Sequence, residues 1–326
     1  TAITPGEVWP DDKGEHINAH GGGVIYHEGT YYWYGENRPA RGFTTEVGVG
    51  VYSSKDLMNW KNEGVALAVS ETKGDVIERG CIMERPKVVY NPTTGKFVML
   101  FHLELKGRGY EAARVGFAVS DTPTGPFKFI RSLRPNAGKW PMDFTKRDIK
   151  RAMALDEAKY KEWWTPEWRR AVDEGLLLKR DLPGGQMSRD MTVFVDDDGT
   201  AYMTATTDWA EHNPGVWVAR IDLRTDCIVG ERELVFRGAA VNAWSPEAPH
   251  LYKKDGWYYL MIAEGGTEDY HAVTIARSRS PLGPYESYPG NPILTHRHLG
   301  LDYPICNVGH GDLVQFQDGS WYIVAL

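Results

Sequence analysis

Cysteine is scarce. The 326 residues hold three, Cys81, Cys227 and Cys306, with no Cys-x-x-Cys pair, so neither a disulfide framework nor a zinc site is expected. The odd count leaves at least one thiol free or paired between chains. Long apolar runs are also missing, and none approaches the roughly 20 residues that span a bilayer, so no membrane partner is expected. Positive charge is neither dominant nor clustered. Lys and Arg number 37 against 44 acidic residues, a net charge of −7, and no basic run supplies the electrostatic footprint of a nucleic-acid binder. No cofactor motif stands out, so no cofactor is expected. No stretch reads as a signal peptide, and a first residue of Thr1 rather than Met fits a processed or trimmed chain. A secreted or periplasmic monomer is the expected state.

Aromatic side chains, by contrast, are plentiful: 12 Trp, 17 Tyr and 10 Phe. Flat rings suit stacking on sugar faces, and they also suit all-β cores. Their placement is more telling. A glycine-containing turn followed by an aromatic strand recurs at Gly29-Thr30-Tyr31-Tyr32-Trp33, Gly95-Lys96-Phe97, Gly199-Thr200-Ala201-Tyr202, Gly256-Trp257-Tyr258-Tyr259 and Gly319-Ser320-Trp321-Tyr322. Each reads as a β-hairpin. A second element follows three of them: a strand, a polar loop, then an aromatic, as in Val119-Ser120-Asp121 before Phe127. Five copies of an all-β unit of about 60 residues point to radial repetition, a five-bladed β-propeller. A β-sandwich with coincidental turns is the alternative.

The glycine-to-glycine intervals are 66, 104, 57 and 63 residues. The excess in the second falls in a charged stretch, about 143–180, whose apolar residues keep a helical spacing. Thr165-Pro166-Glu167 there has the pattern of an N-cap followed by Pro at the first helical position. The expectation is one propeller domain over 1–326 with a helical insertion between blades two and three. Trp163, Trp164 and Trp168 of that insertion would pack on the rim or meet substrate, packing being the simpler role. The fifth repeat stops about two strands after Asn307, so that blade is expected to be incomplete unless the first residues of the chain fill it or the chain continues.

A propeller gathers the starts of its inner strands around one axis, so chemistry is expected from matching places in different blades. Blade one offers Ala19-His20-Gly21-Gly22-Gly23, blade two Glu84-Arg85-Pro86-Lys87, blade three Ser188-Arg189-Asp190-Met191, blade four Trp244-Ser245-Pro246-Glu247-Ala248-Pro249, and blade five Gly309-His310-Gly311-Asp312. Taken singly each has a plain reading: a flexible strand entry, a surface ion pair, a solvated loop acid. Taken together, Glu84, Asp190 and Glu247 appear at matching offsets before three successive strands. Upstream of blade five, Asp302 adds another carboxylate. Carboxylates meeting on one axis suit glycoside hydrolysis. One, with raised pKa, protonates the leaving oxygen. A second activates water, roughly 6.5–9.5 Å away in an inverting enzyme, and a third can hold the acid's pKa up.

These motifs resemble glycoside hydrolase family 43, a family of five-bladed, inverting propellers, over essentially the whole chain. The resemblance implies Glu247 as the acid and Asp190 as the group that modulates its pKa. From about His16 to Tyr202 the chain looks like exo-β-1,3-galactanases, on Ala19-His20-Gly21-Gly22-Gly23, Tyr31-Tyr32-Trp33-Tyr34-Gly35-Glu36, Glu84-Arg85-Pro86-Lys87 and Ser188-Arg189-Asp190-Met191-Thr192. From about Val216 it looks more like β-xylosidases and α-L-arabinofuranosidases, on Glu247-Ala248-Pro249-His250, Ala263-Glu264-Gly265-Gly266-Thr267, His271-Ala272-Val273-Thr274 and Gly309-His310-Gly311-Asp312. A natural mosaic and a fusion of two members both fit. The chain departs from most of the family at the base, an Asp at the start of blade one, where it has Ala19-His20-Gly21.

The implied activity is exo-acting, inverting cleavage of β-galactan side chains, that is, a β-1,3-galactosidase. A β-xylosidase or α-L-arabinofuranosidase is the enzymatic alternative, and a non-catalytic carbohydrate-binding propeller the other. The expected partner is an oligo- or polysaccharide. Glu84 would position sugar or water, and Asp302 is the nearest base by position. His20, Gly21, Arg85, Arg189, Trp244 and His310 are the candidate sugar-binding residues. Some members of the family hold calcium on the axis, which makes His310 a candidate neighbour of a structural ion.

Overall fold

The computed structural model describes residues 3–135, 137–138, 140, 145–156, 158, 166–167, 182–185, 188–206, 216–224, 227–228, 233–236, 245–300 and 302–326. The five repeated turns fold as hairpins. Their glycines, Gly29, Gly95, Gly199, Gly256 and Gly319, all take positive φ between 67° and 88°, which a side chain would resist. Around them the chain winds into antiparallel meanders. Blade one contains β1 (His20–His27), β2 (Thr30–Glu36), β3 (Gly48–Ser54) and β4 (Lys61–Ala68). Blade two contains β5 (Ile82–Asn91), β6 (Lys96–Glu104), β7 (Arg114–Ser120) and β8 (Lys128–Leu133). Helix α1 (Lys146–Met153) follows. Blade three contains β9 (Arg189–Val195), β10 (Ala201–Thr206), β11 (Val216–Asp222), β12 (Cys227–Ile228) and β13 (Glu233–Phe236), and blade four β14 (Glu247–Lys254), β15 (Trp257–Glu264), β16 (Ala272–Ser278) and β17 (Glu286–Ser287). A last sheet contains β18 (Asp312–Gln315) and β19 (Trp321–Val324).

The all-β propeller reading holds, with two corrections. Among the described residues there are four complete blades and a two-stranded fifth sheet rather than five blades. The first residues of the chain do not fill that sheet: Trp9 packs instead on Trp33, 5.4 Å away, and on Trp60, both in blade one. The second correction concerns the insertion. Among the described residues of 143–180 there is one α-helix, of eight residues, rather than a helical insertion throughout, and most of that stretch lies outside the described residues. Thr145 caps the helix, accepting from the Asp148 N–H while the Asp148 carboxylate accepts from Thr145 N, a reciprocal box that satisfies two otherwise orphaned donors. Pro166 and Glu167 are helical. Thr165 and the three tryptophans of the stretch lie outside the described residues.

Neighbouring sheets pack face to face. Tyr34, Val49, Val51, Phe97, Phe101 and Phe127 fill the space between blades one and two. Leu100, Phe117, Met191 and Met203 do so between two and three, and Tyr202, Val218, Leu251 and Leu260 between three and four. Val314 and Phe316 join the fifth sheet to Tyr31 and Trp33 of blade one. The innermost strands β1, β5, β9, β14 and β18 thereby ring a central channel.

The decisive local feature repeats at the start of each inner strand. Gly21, Arg85, Asp190, Ala248 and His310 are all left-handed, with φ of 58°, 54°, 47°, 49° and 46°. In β1, β5, β9 and β14 the pairing register slips at this point. Such bulges re-aim side chains, and left-handed non-glycine residues, costing of order 1–3 kcal/mol each, collect at functional sites. The alignment also corrects the offsets. Glu84 and Glu247 are equivalent, pairing across the sheet with His102 and Ala263, but their counterpart in blade three is Arg189, opposite Thr206. Asp190 stands one residue later, level with Arg85 and His310.

Candidate active site

Arg85 is the hub. Its side chain is buried, and four carboxylates, of Asp190, Glu36, Glu84 and Glu247, act on its charge. Asp190 Oδ1 lies 3.6 Å from Arg85 Nε, and Asp190 Oδ2 accepts the Ala248 N–H at 3.3 Å. The Arg85 N–H donates to Glu36 Oε1 at 3.1 Å. Gly21 makes room for the guanidinium: a Cβ there would sit 2.1 Å from Arg85 Nη1 and 2.8 Å from Glu36 Oε1. An Asp at position 21, within the stretch where the resemblance places the base, would collide with both.

Glu84 is buried in a shell of donors. Tyr110 donates its hydroxyl to Oε1 at 2.7 Å, Arg38 Nη2 reaches the same oxygen at 3.5 Å, and His102 Nδ1 stands 3.2 Å from Oε2, off the ideal hydrogen-bond line. His102 is fixed from behind by Glu104, Nε2 to Oε1 at 2.8 Å. Glu104 Oε2 in turn accepts the N–H groups of Ala112 and Ala113. Burial would raise the Glu84 pKa. The His102 bond, with the charges of His102 and Arg85, outweighs it and holds the carboxyl at about 2. Burial likewise opposes charge on His102, but Glu104 and Glu84 push it up to about 9. Strand alternation puts His102 and Glu104 on one face of an otherwise apolar strand.

Glu247 has no such shell. Among the described residues no hydrogen bond reaches its carboxyl oxygens. Burial and then the negative charge of Asp190 raise it to about 7, against the opposing pull of Arg85 and Arg189. The structure thus brings Glu84, Arg85, Asp190 and Glu247 together. His20 joins through Glu36, Nδ1 to Oε2 at 3.2 Å, and Arg38 Nε donates to the same Glu36 oxygen at 2.6 Å. Arg189 donates to the Tyr110 carbonyl at 2.8 Å, and its guanidinium lies 5.5 Å from the Tyr110 ring centre. His310 is buried on the axis. Asp302 is exposed on its turn, and among the described residues no hydrogen bond or ion pair joins it to the cluster. Trp244 lies outside the described residues. Arg38, His102, Glu104 and Tyr110 were not singled out in the sequence, and Glu36 appeared there only as the end of a motif, without a role. The apolar run around His102 and Glu104 was the available signal, since two ionisable groups there must find partners.

The surroundings of His310 do not fit calcium. That ion takes six to eight oxygen ligands, whereas burial and the positive charges of Arg85 and Lys87 bear on His310 and push its pKa well down. Among the described residues no three His, Cys, Asp or Glu side chains group as metal ligands.

Comparison with known proteins fits this site. The family model for glycosyl hydrolases family 43 matches residues 132–326. A solved family 43 β-1,3-galactosidase in complex with galactodeoxynojirimycin is 43% identical over 99% of this chain and 90% of its own, with a TM-score of 0.80. An exo-β-1,3-galactanase from Clostridium thermocellum is 30% identical over 88% of this chain and 51% of its own, TM-score 0.65. Among curated sequences, a xylosidase/arabinosidase of Butyrivibrio fibrisolvens is 46% identical over 142 residues, 42% of this chain. The match spans 28% of that relative, so the chain covers only about a quarter of the length of such curated proteins.

Proposed function

The chain belongs to glycosyl hydrolase family 43, and from that premise we propose that it is an exo-acting, inverting β-1,3-galactosidase of galactan side chains. One observation carries the reading: two equivalent glutamates on one axis, Glu84 held ionised and Glu247 held protonated near neutrality. Paired carboxylates pushed apart in pKa are the signature of acid and base assignments in glycoside hydrolysis. In this proposal Glu247 protonates the leaving glycosidic oxygen. Asp190 keeps its proton on by like-charge repulsion and, anchored on Arg85, fixes the strand start that carries it. Glu84, fixed by Tyr110 and the Glu104–His102 pair, orients the attacking water and takes its proton as the water oxygen bonds to the anomeric carbon and the glycosidic C–O bond breaks, the leaving oxygen receiving the Glu247 proton. Asp302, exposed on its turn, receives no role.

Galactose as the substrate rests on likeness to the β-1,3-galactosidase over nearly the whole chain. The xylosidase and arabinosidase relatives favour a second reading, cleavage of β-xylosides or α-L-arabinofuranosides. A panel of nitrophenyl β-galactoside, β-xyloside and α-L-arabinofuranoside, with β-1,3-galactobiose, separates the two by kcat/KM. The galactosides should lead, with the anomeric proton signals showing α-galactose released first from the β-linkage. Preference for xyloside or arabinofuranoside would overturn the substrate assignment. Binding without product at any pH would make the protein a carbohydrate-binding propeller.

A further inference from the structure

Arg189 stands in β9 where Glu84 stands in β5 and Glu247 in β14. Each precedes the left-handed residue of its strand, and each lies at the slip in register. A bulge that aims two glutamates at the axis aims this arginine there as well. Its neighbour Asp190 accepts the Ala248 N–H at 3.3 Å, which fixes the start of β9 beside that of β14. On its other side Arg189 reaches blade two. Nη2 donates to the Tyr110 carbonyl at 2.8 Å, and the guanidinium carbon lies 5.5 Å from the centre of the Tyr110 ring. Ser188, one residue earlier, donates its N–H to the Ala113 carbonyl at 3.0 Å. The loop between β6 and β7 is thereby tied at two points to the entry of β9. Tyr110 of that loop is 39% exposed, yet its hydroxyl donates to Glu84 Oε1 at 2.7 Å and its ring lies 5.9 Å from that of His102. A planar guanidinium that bonds the carbonyl and stacks on the ring restrains an otherwise mobile side chain.

We propose that Arg189 is a positioning residue that ties the two glutamates together, pinning Tyr110 against Glu84 with its planar fork and facing Glu247 with its charge. The inference rests on the acid and base roles proposed above. Four charged groups bear on Glu247: Asp190 and Arg189 from β9, and Arg85 and Glu84 from β5. Arg85 is shared among four carboxylates, whereas Arg189 comes from the strand next to β14. As Glu247 passes its proton to the leaving oxygen, its carboxyl group gains negative charge. A cation already in place stabilises that developing carboxylate more than the neutral acid, so its effect falls on the transition state. The same residue keeps Tyr110 on Glu84, so acid and base are set by one side chain between them.

Three variants of the full chain separate the two tasks. Arg189→Gln removes both, Arg189→Lys keeps the charge without the fork, and Tyr110→Phe removes the hydroxyl on Glu84 and keeps the ring. Thermal melting checks that each is folded. On β-1,3-galactobiose, Arg189→Gln should lose about 10²-fold in kcat/KM, the cost of a misplaced catalytic group. Its alkaline limb should move up by about one pH unit, because Glu247 holds its proton more tightly once the cation is gone. Arg189→Lys should restore the limb and not the rate. Tyr110→Phe should lower the rate and leave that limb in place. Added to Arg189→Gln, it should cost far less than it does alone, since both act through one contact. A limb unmoved by Arg189→Gln, a limb that Arg189→Lys fails to restore, or additive losses would overturn the proposal. Carbon-13 NMR of glutamate carboxyls, with Glu247 assigned from Glu247→Gln, reads the same titration without turnover. If no glycoside is cleaved, the hydrolytic reading fails, and a Glu247 titration unchanged in Arg189→Gln would separately overturn this one.

Discussion

The starts of blades two and four are the same piece of backbone twice. Each has a glutamate at the same register, followed by a left-handed residue, Arg85 or Ala248, and a proline. Yet Glu84 is held at about 2 and Glu247 at about 7. The difference lies in what stands opposite. Across the sheet Glu84 faces His102, and Glu247 faces Ala263. Blade two places a cation and a tyrosine hydroxyl beside its carboxylate. Blade four places a methyl group there and leaves Asp190 as the near charge. One repeated bulge aims both side chains at the axis, and the neighbouring strand decides which of them keeps its proton.

The comparison breaks most sharply at Glu247. Glu247→Gln keeps the shape and loses the proton donor. Its kcat on β-1,3-galactobiose should fall by about 10²–10⁴, the usual worth of a positioned general acid, and by less on nitrophenyl galactoside, whose leaving group needs little protonation. Equal losses on both substrates would remove Glu247 from the acid role. In the wild-type enzyme the alkaline limb of kcat/KM should fall near pH 7, because the acid must be protonated to act.

A smaller effect is expected at His102. His102→Gln removes the charge that keeps Glu84 ionised, so the Glu84 pKa rises and the acidic limb of kcat/KM moves up from about pH 2. With a shift of one to two units, activity near pH 3 should drop about twofold to tenfold while activity near pH 6 changes little. Glu104→Gln, which loosens His102 from behind, should move the limb the same way by less. A merely structural role for His102 would lower stability and leave the limb where it was.

The turns and the acids were legible in the sequence because both are local. Gly29, Gly95, Gly199, Gly256 and Gly319 mark their hairpins by the conformation only glycine takes cheaply, and Glu84, Asp190 and Glu247 precede recognisable strands. The register was less legible. A bulge adds a residue without announcing it, so Asp190 looked level with the two glutamates and stands one place on, beside Arg85. The groups that hold Glu84 were not legible as a site at all. His102, Glu104, Tyr110 and Arg38 meet Glu84 through pairing across a sheet and a turn, and no spacing along the chain encodes that meeting. The same holds for Gly21, read as a loose strand entry, whose missing side chain is the space Arg85 fills.

The smallest effect is on stability, and the two corners should display it in different pH windows. Glu247 has a folded pKa raised to about 7. Its contribution is therefore complete below the unfolded value near 4.3 and is lost as pH rises through 7. His102, raised to about 9, contributes fully below about 6.5 and loses that as pH rises through 9. Glu84 is lowered, so its contribution is present above about 4.3 and is lost as pH falls through 2. Urea unfolding of the wild type should show stability declining from pH 5 to pH 9 on account of the first two groups. Glu247→Gln should match the wild type near pH 4.5 and exceed it at pH 8 by on the order of 1–3 kcal/mol, having no buried charge to accommodate. His102→Gln should instead be less stable than wild type at pH 5 and close the gap by pH 9. If both variants ran parallel to the wild type across this range, the two corners would not differ in the way their pairing partners demand.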